Sequence, residues 1–309
     1  MQAAKSCQKA VRSVEMTQLS SKISLQHRTI VNVLKLIGGR KILAKQFEKG
    51  KGLTAAPNQK LQTKYGITKS DFKGEPVWNY AGNDTLIYFA HGGGYVAGFA
   101  PLHFPMMGGI ARQSGATLVA PDYPLYPHID APGTHSWIRA HYDETVKKLK
   151  PSKVILMGDS AGANAVMVLA QELVKSKKPV DKLVLLSPWI DLRMAHPDMV
   201  QHPEEQLLDG SKILLAAERH AGELGLEHPL VSPIFGDLTS LPPTWVYTGD
   251  KDLLHPDIMT SVEKMKAAGT TPIVDIANGL AHDYMIFPSP EGRACLSRIS
   301  QAVNFQPSS

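Results

Sequence analysis

Val154-Ile155-Leu156-Met157-Gly158-Asp159-Ser160-Ala161-Gly162-Ala163-Asn164 is the stretch that decides how this chain is read. Four apolar residues run into Gly-x-Ser-x-Gly, and small residues able to open a helix follow. That order suits a strand that ends, a sharp turn at Ser160 and a helix that begins. So tight a turn needs flanking positions without bulk, which Gly158, Ala161 and Gly162 supply. The Ser160 hydroxyl is then expected to stand above a sheet edge, at the positive end of a helix.

The same alternation extends on both sides. Thr85–Ala90, Ala116–Ala120, Val154–Met157, Leu183–Leu186, Thr244–Thr248 and Pro272–Ile276 read as strands. Residues 104–113, 135–148, 163–175, 258–268 and 292–303 read as helices between or after them. The strands are continuously apolar, which predicts a mostly parallel sheet covered on both faces, an α/β fold. Residues 1–70 differ in character, being rich in Lys, Gln, Ser and Thr. Ile23, Leu25, Ile30, Val33, Leu34, Ile37 and Leu43 recur there at helical spacing, with Gly38-Gly39 as an interruption. This segment is expected to be a helical cap, and residues 71–309 the catalytic domain. Between Asp191 and Pro242 the alternation stops and 204–220 reads as a helix. A cap insertion is therefore expected at about 195–232.

A serine hydroxyl is a poor nucleophile near neutral pH and needs a base, which in turn needs an orienting acid. In a strand–turn–helix scaffold the three follow in the order Ser, Asp or Glu, His, each at a strand end. Downstream of Ser160, one strand ends in Gly249-Asp250-Lys251-Asp252-Leu253 and the last in Asn278-Gly279-Leu280-Ala281-His282. Asp250 and Asp252 compete for the acid; Asp252 is the choice, because Gly-x-x-Asp leaves room for the turn. His282 is the expected base. Developing charge on a carbonyl oxygen needs preorganised amides. His91-Gly92-Gly93-Gly94 follows a strand, and its glycines let the backbone approach. The amides of this loop and that of Ala161 are the expected donors, with His91 pinning the loop. Tyr95, His103, Leu207 and Leu208 are candidates for the substrate pocket. No His-x-x-x-His or carboxylate cluster suggests a metal, and no cofactor is expected.

These pieces together resemble the hormone-sensitive-lipase-like α/β-hydrolases, the bacterial family IV carboxylesterases. The matching elements are His91-Gly92-Gly93-Gly94, Gly158-Asp159-Ser160-Ala161-Gly162, Ser187-Pro188-Trp189, Pro242-Pro243, Asp252-Leu253, and His282 with Phe287, in family order. The resemblance implies an α/β-hydrolase fold with a helical cap. It implies Ser160 as nucleophile, Asp252 as acid, His282 as base, and Gly93, Gly94 and Ala161 as the oxyanion hole. One stretch departs from it. Where the family carries Asp-Tyr-Arg-Leu-Ala-Pro-Glu, this chain has Asp122-Tyr123-Pro124-Leu125-Tyr126-Pro127-His128. The bracing that Arg and Glu provide must come from elsewhere.

The expected function is a serine carboxylesterase for short- to medium-chain acyl esters. The alternatives are an amide or formamide hydrolase on the same machinery, or a ligand-binding protein on the hydrolase scaffold. With 309 residues, 43% hydrophobic and 20% charged, the composition is that of an ordinary globular enzyme. The net charge of +5 carries no basic run interleaved with aromatics, so no nucleic-acid partner is expected. No stretch approaches 18 consecutive apolar residues, so no membrane insertion is expected either. Met1–Ser20 has Lys5, Lys9 and Arg12 but no apolar core, and Cys7 and Cys295 are the only cysteines. A cytoplasmic protein with two reduced thiols is the reading, acting on a small-molecule ester, with a homodimer left open.

Overall fold

In the computed structural model, which describes residues 22–306, the elbow strand lies at the centre of an eight-stranded sheet. The strands are β1 (Ile67–Phe72), β2 (Glu75–Tyr80), β3 (Asn83–Ala90), β4 (Ala116–Pro121), β5 (Lys153–Asp159), β6 (Lys182–Leu186), β7 (Thr244–Gly249) and β8 (Ile273–Ala277). Their order is β1-β2-β4-β3-β5-β6-β7-β8. From β4 to β8 every pairing is parallel, while β1 and β2 pair antiparallel. Side chains alternate between two cores. Leu86, Tyr88, Val154 and Leu156 face one, and Ile87, Phe89, Ile155 and Met157 face the other.

The helices are α1 (Leu25–Ile37), α2 (Gly39–Lys49), α3 (Gln59–Tyr65), α4 (His103–Ser114), α5 (Ala131–Leu149), α6 (Ala161–Lys175), α7 (Gly210–Ala221), α8 (His255–Ala267) and α9 (Pro290–Asn304). Helices α5, α6 and α8 cover the first core, and α4 and α9 the second. This is the expected fold class, with all six predicted strands in place.

Three local differences have physical causes. The hairpin β1–β2 was not read from the sequence, because β1 exposes four of its six residues and has no continuous apolar run. Its one signal is Lys73-Gly74, both at positive φ, which suits a two-residue hairpin turn. Helix α3 falls inside the stretch read as cap, yet its Tyr65 packs on Gly108 of α4, in the sheet layer. The insertion helix starts at Gly210 and not at 204. The Glu205 carboxylate accepts the amides of Leu207 (2.8 Å) and Leu208 (3.0 Å), a local turn that competes with helix. The helix proper opens at the next cap, Asp209.

Helices α1, α2 and α7 pack together near the carboxyl ends of the strands. Arg219 of α7 donates to the carbonyls of Phe47 and Glu48 at the end of α2, and Lys212 pairs with Glu48 at 3.1 Å. Ser24 caps α1 and also donates from N (2.5 Å) and Oγ (2.8 Å) to Glu291 on α9. Cys7 and the first 21 residues of the N-terminal segment lie outside the described residues. Cys295 is buried, its thiol pushed up to about 12 by burial.

Candidate active site

Ser160 sits between β5 and α6 at φ 50°, ψ −118°, a strained conformation for a non-glycine residue. The backbone around it holds the turn shut. Its amide donates to Leu186 O (2.9 Å), and its carbonyl accepts from Trp189 N (3.1 Å). Gly162 is required by close approach, since a Cβ there would stand 2.1 Å from the Ala90 carbonyl oxygen. Ser160 Oγ has no hydrogen-bond partner among the described residues. The side chain lies at the start of α6, in the field of the helix N-terminus.

Asp252, just past β7, and His282, just past β8, meet. His282 Nδ1 is 3.0 Å from each Asp252 carboxylate oxygen, and both residues are buried. Asp252 Oδ1 also accepts the amide of Leu254 at 2.9 Å. This fixes the carboxylate, and the carboxylate fixes the imidazole with its proton on Nδ1. Asp250, the competing acid, turns away and accepts the amide of Gly279 at 2.5 Å.

Two further carboxylates surround His282, and neither was singled out from the sequence. Asp283 Oδ2 lies 3.2 Å from His282 Nε2, the nitrogen a serine would have to reach. Asp283 adopts a left-handed backbone (φ 50°), is buried, and donates its amide to Ser187 Oγ at 3.0 Å. Burial pushes its carboxyl well above the usual range. Glu205, from the insertion, accepts the His282 amide at 3.1 Å through Oε2. It is completely buried, and burial raises its carboxyl too. Burial alone would lower the His282 imidazole; Asp252, Asp283 and Glu205 outweigh it and raise the pKa. The adjacency His282-Asp283 was the one sequence signal for Asp283. Glu205 lies 77 residues from its partner and gave none.

The glycine loop lies opposite. Gly93 has φ 117°, and a Cβ on it would meet the Ala97 carbonyl oxygen at 2.1 Å, so only glycine fits. Among the described residues none accepts a hydrogen bond from the amides of Gly93, Gly94 or Ala161. His91 is wholly buried, stacked on Tyr123 (4.3 Å between ring centres), with Nε2 3.3 Å from Asp122 Oδ1. Asp122 Oδ2 in turn accepts from Thr54 Oγ1 at 2.7 Å, and Tyr123 donates to the His91 carbonyl at 2.6 Å. These contacts hold the glycine loop against the end of β4, through Asp122 and Tyr123 of the stretch that departs from the family pattern.

The pocket candidates separate. Leu207 lines a cavity of about 290 Å³ that also touches His282, Glu205, Phe287 and the inner face of α1. Leu208 is buried in the core beside it. Tyr95 and His103 are interior residues. Tyr95 donates to Asn164 Oδ1 (2.7 Å) and stacks on His220. His103 Nε2 is 3.0 Å from Asp159 Oδ2; its pKa is raised because the Asp159 charge outweighs burial. No group of residues able to hold a metal ion occurs among the described residues.

A family model described as alpha/beta hydrolase fold matches residues 86–286. The chain belongs to the α/β-hydrolase fold family. An acetyl-hydrolase of Streptomyces hygroscopicus is 32% identical to it over 69% of this chain and 72% of the relative. An esterase of Acinetobacter venetianus is 28% identical over 76% of this chain and 80% of the relative. Among solved structures, an esterase from the bacterial hormone-sensitive lipase family superposes with a TM-score of 0.79 at 23% identity. That match covers 93% of this chain and all (100%) of the other. A hormone-sensitive lipase from a metagenome library superposes with a TM-score of 0.77 at 23% identity, covering 92% and 99%. No helix among the described residues is long and apolar enough to cross a membrane.

Proposed function

We propose that this α/β-hydrolase is a carboxylesterase for short- to medium-chain acyl esters, with Ser160 as nucleophile, His282 as base and Asp252 as orienting acid. The observation that carries the reading is the paired contact of Asp252 with His282 past the ends of β7 and β8, on the same sheet edge as a strained Ser160 past the end of β5. In the first half-reaction Ser160 Oγ adds to the ester carbonyl carbon while its proton passes to His282 Nε2. The carbonyl oxygen becomes an oxyanion and takes hydrogen bonds from the amides of Gly93, Gly94 and Ala161. Removing one such donor typically costs about 3 kcal/mol of barrier. Collapse of the adduct breaks the C–O bond, and the alkoxide leaves with the proton from His282. In the second half-reaction His282 deprotonates water, which adds to the acyl carbon; Ser160 departs with the returned proton and the acid is released. Asp252 keeps the imidazole in the tautomer that presents Nε2 as acceptor and stabilises the imidazolium.

For this cycle Nε2 must leave Asp283 and turn to Ser160. Helices α1, α2 and α7 act as the cap over the site. The preference for modest acyl groups rests on the relatives, because the cavity of about 290 Å³ beside His282 is lined by neither Ser160 nor the glycine loop. The acetyl-hydrolase and esterase relatives support the same class of substrate.

The test is hydrolysis of a p-nitrophenyl ester series from acetyl to palmitoyl, with wild type beside Ser160→Ala. Turnover concentrated on the shorter esters and abolished in the folded variant is expected. A variant that keeps full activity would remove Ser160 as nucleophile. A wild type active on anilides but on no ester would move the reading to amide hydrolysis.

A further inference from the structure

Helix α1 has two apolar faces, and the fold uses one of them. His27, Val31 and Leu34 turn inward to the cavity beside His282. On the other side Leu25, Thr29, Val33 and Leu36 are spaced four, four and three residues apart, which aligns them on one stripe of a 3.6-residue helix. Leu25 is 80% exposed and Leu36 87%; Val33 and Ile37 are also exposed. Helix α2 adds exposed Ile42 and the row Lys41, Lys45, Lys49, and Leu53 beyond it is 76% exposed. A soluble surface rarely leaves so many large aliphatic side chains together on adjoining elements.

The charge carried by this segment is mostly of one sign. Residues 22–70 hold eleven Lys and Arg and a single acid, Glu48, which Lys212 of α7 takes. Lys35, Lys41, Lys45 and Lys49 form no ion pair among the described residues. Exposed aliphatic side chains flanked by unpaired cations are the composition that binds an anionic interface: the alkyl groups enter the headgroup layer and the cations meet phosphate. A second copy of this chain would set these cations against each other, which argues against a self-interface.

We propose that the outer face of α1, with the basic row of α2, docks the protein on an anionic phospholipid surface. The inner face of the same helix lines the cavity, so docking sets that cavity one helix diameter, roughly 10 Å, from the lipid boundary. The inference concerns a surface outside the catalytic residues and stands or falls separately from the assignment of Ser160.

The test is flotation of the full chain with phosphatidylcholine vesicles, with and without phosphatidylserine, at low and high salt. Wild type is expected to float with the serine-containing vesicles and to be released by salt, since each cation near such a surface is worth roughly five-fold in partition. The double variant Val33→Asp, Leu36→Asp and the triple variant Lys41→Glu, Lys45→Glu, Lys49→Glu should each lose at least about ten-fold in partition. Both should keep wild-type hydrolysis of a water-soluble short ester and wild-type thermal stability. Failure of wild type to float with either vesicle overturns the proposal. So does a variant that splits a dimer in light scattering, which would make the face a contact between copies. A large fall in melting temperature in the Val33, Leu36 variant also overturns it, because the face would then be covered by the chain itself.

Discussion

Replacing Asp283 should make the enzyme a better base catalyst at lower pH. Under the proposed mechanism His282 must be neutral to accept the Ser160 proton, so activity should climb with pH through the His282 pKa. The Asp283 carboxylate, 3.2 Å from Nε2, favours the charged imidazolium and raises that pKa. At an effective dielectric of about 20, two unit charges this far apart interact by roughly 5 kcal/mol. That is an upper bound on the shift, because burial drives Asp283 itself toward its protonated form, and the two groups share protons as a pair. Even about a third of that interaction moves the imidazole by about one pH unit. The sign follows directly: removing the anion lowers the His282 pKa, so the acidic limb of kcat/KM moves to lower pH. Asp283→Asn tolerates the left-handed backbone, and Asp283→Gly removes the contact as well as the charge. The assay is kcat/KM for a p-nitrophenyl ester from pH 4 to 10, with circular dichroism to confirm the fold. A downward shift of at least about one unit in both variants is expected. An unmoved limb, or one displaced upward, refutes the electrostatic argument. Loss of activity at every pH in folded variants would make Asp283 part of the chemistry and not a competitor for Nε2.

Other substitutions test separate contacts. Asp252→Asn should lower kcat by roughly 10⁴-fold by destroying the tautomer control, whereas Asp250→Asn, which touches the Gly279 amide and Lys251 but not His282, should lower it little. Steady-state kinetics on the two variants with effects reversed would transfer the acid role. Glu205→Gln keeps the shape but turns an NH₂ toward one of the amides it now accepts, so denaturant melts should show a loss of about 1–3 kcal/mol, together with a lower kcat. An unchanged kcat would limit Glu205 to holding the insertion. Lys182→Met removes donors to the carbonyls of Ala302, Val303 and Phe305 at the end of α9, at a cost of about 2–3 kcal/mol measured by urea unfolding, with activity per folded molecule preserved.

What was legible in the chain follows how locally each feature is encoded. A parallel strand buried on both faces is a continuous apolar run, so β3 to β7 stand out in the sequence, while β8, an edge strand with Ile276 exposed, was read from its place in the alternation. The elbow is equally local, because its sterics act between residues 158 and 162. Edge strands are different: β1 needs to bury only Ile67 and Phe72, and its polar remainder reads as loop. That Asp252 and not Asp250 meets His282 at the strand ends was legible through their position in the alternation and the turn geometry; the acid and base roles are the proposal. Tyr95 and His103 follow the glycine loop in sequence, yet each found a buried polar partner, Asn164 and Asp159, that drew it inward. The electrostatics of the site were the least legible part. Whether His282 is poised to accept a proton depends on three carboxylates brought from the β7 turn, the adjacent residue and an irregular loop of the insertion. Nothing in the periodicity of an insertion says where one of its carboxylates will point. Glu205 reaches His282 because Leu207 and Leu208 bend their amides to its other oxygen, and that bend also delays α7 to Gly210. One local turn therefore sets both the start of the insertion helix and the charge beside the base, so a change that straightened it into helix should alter the pH profile along with the cap.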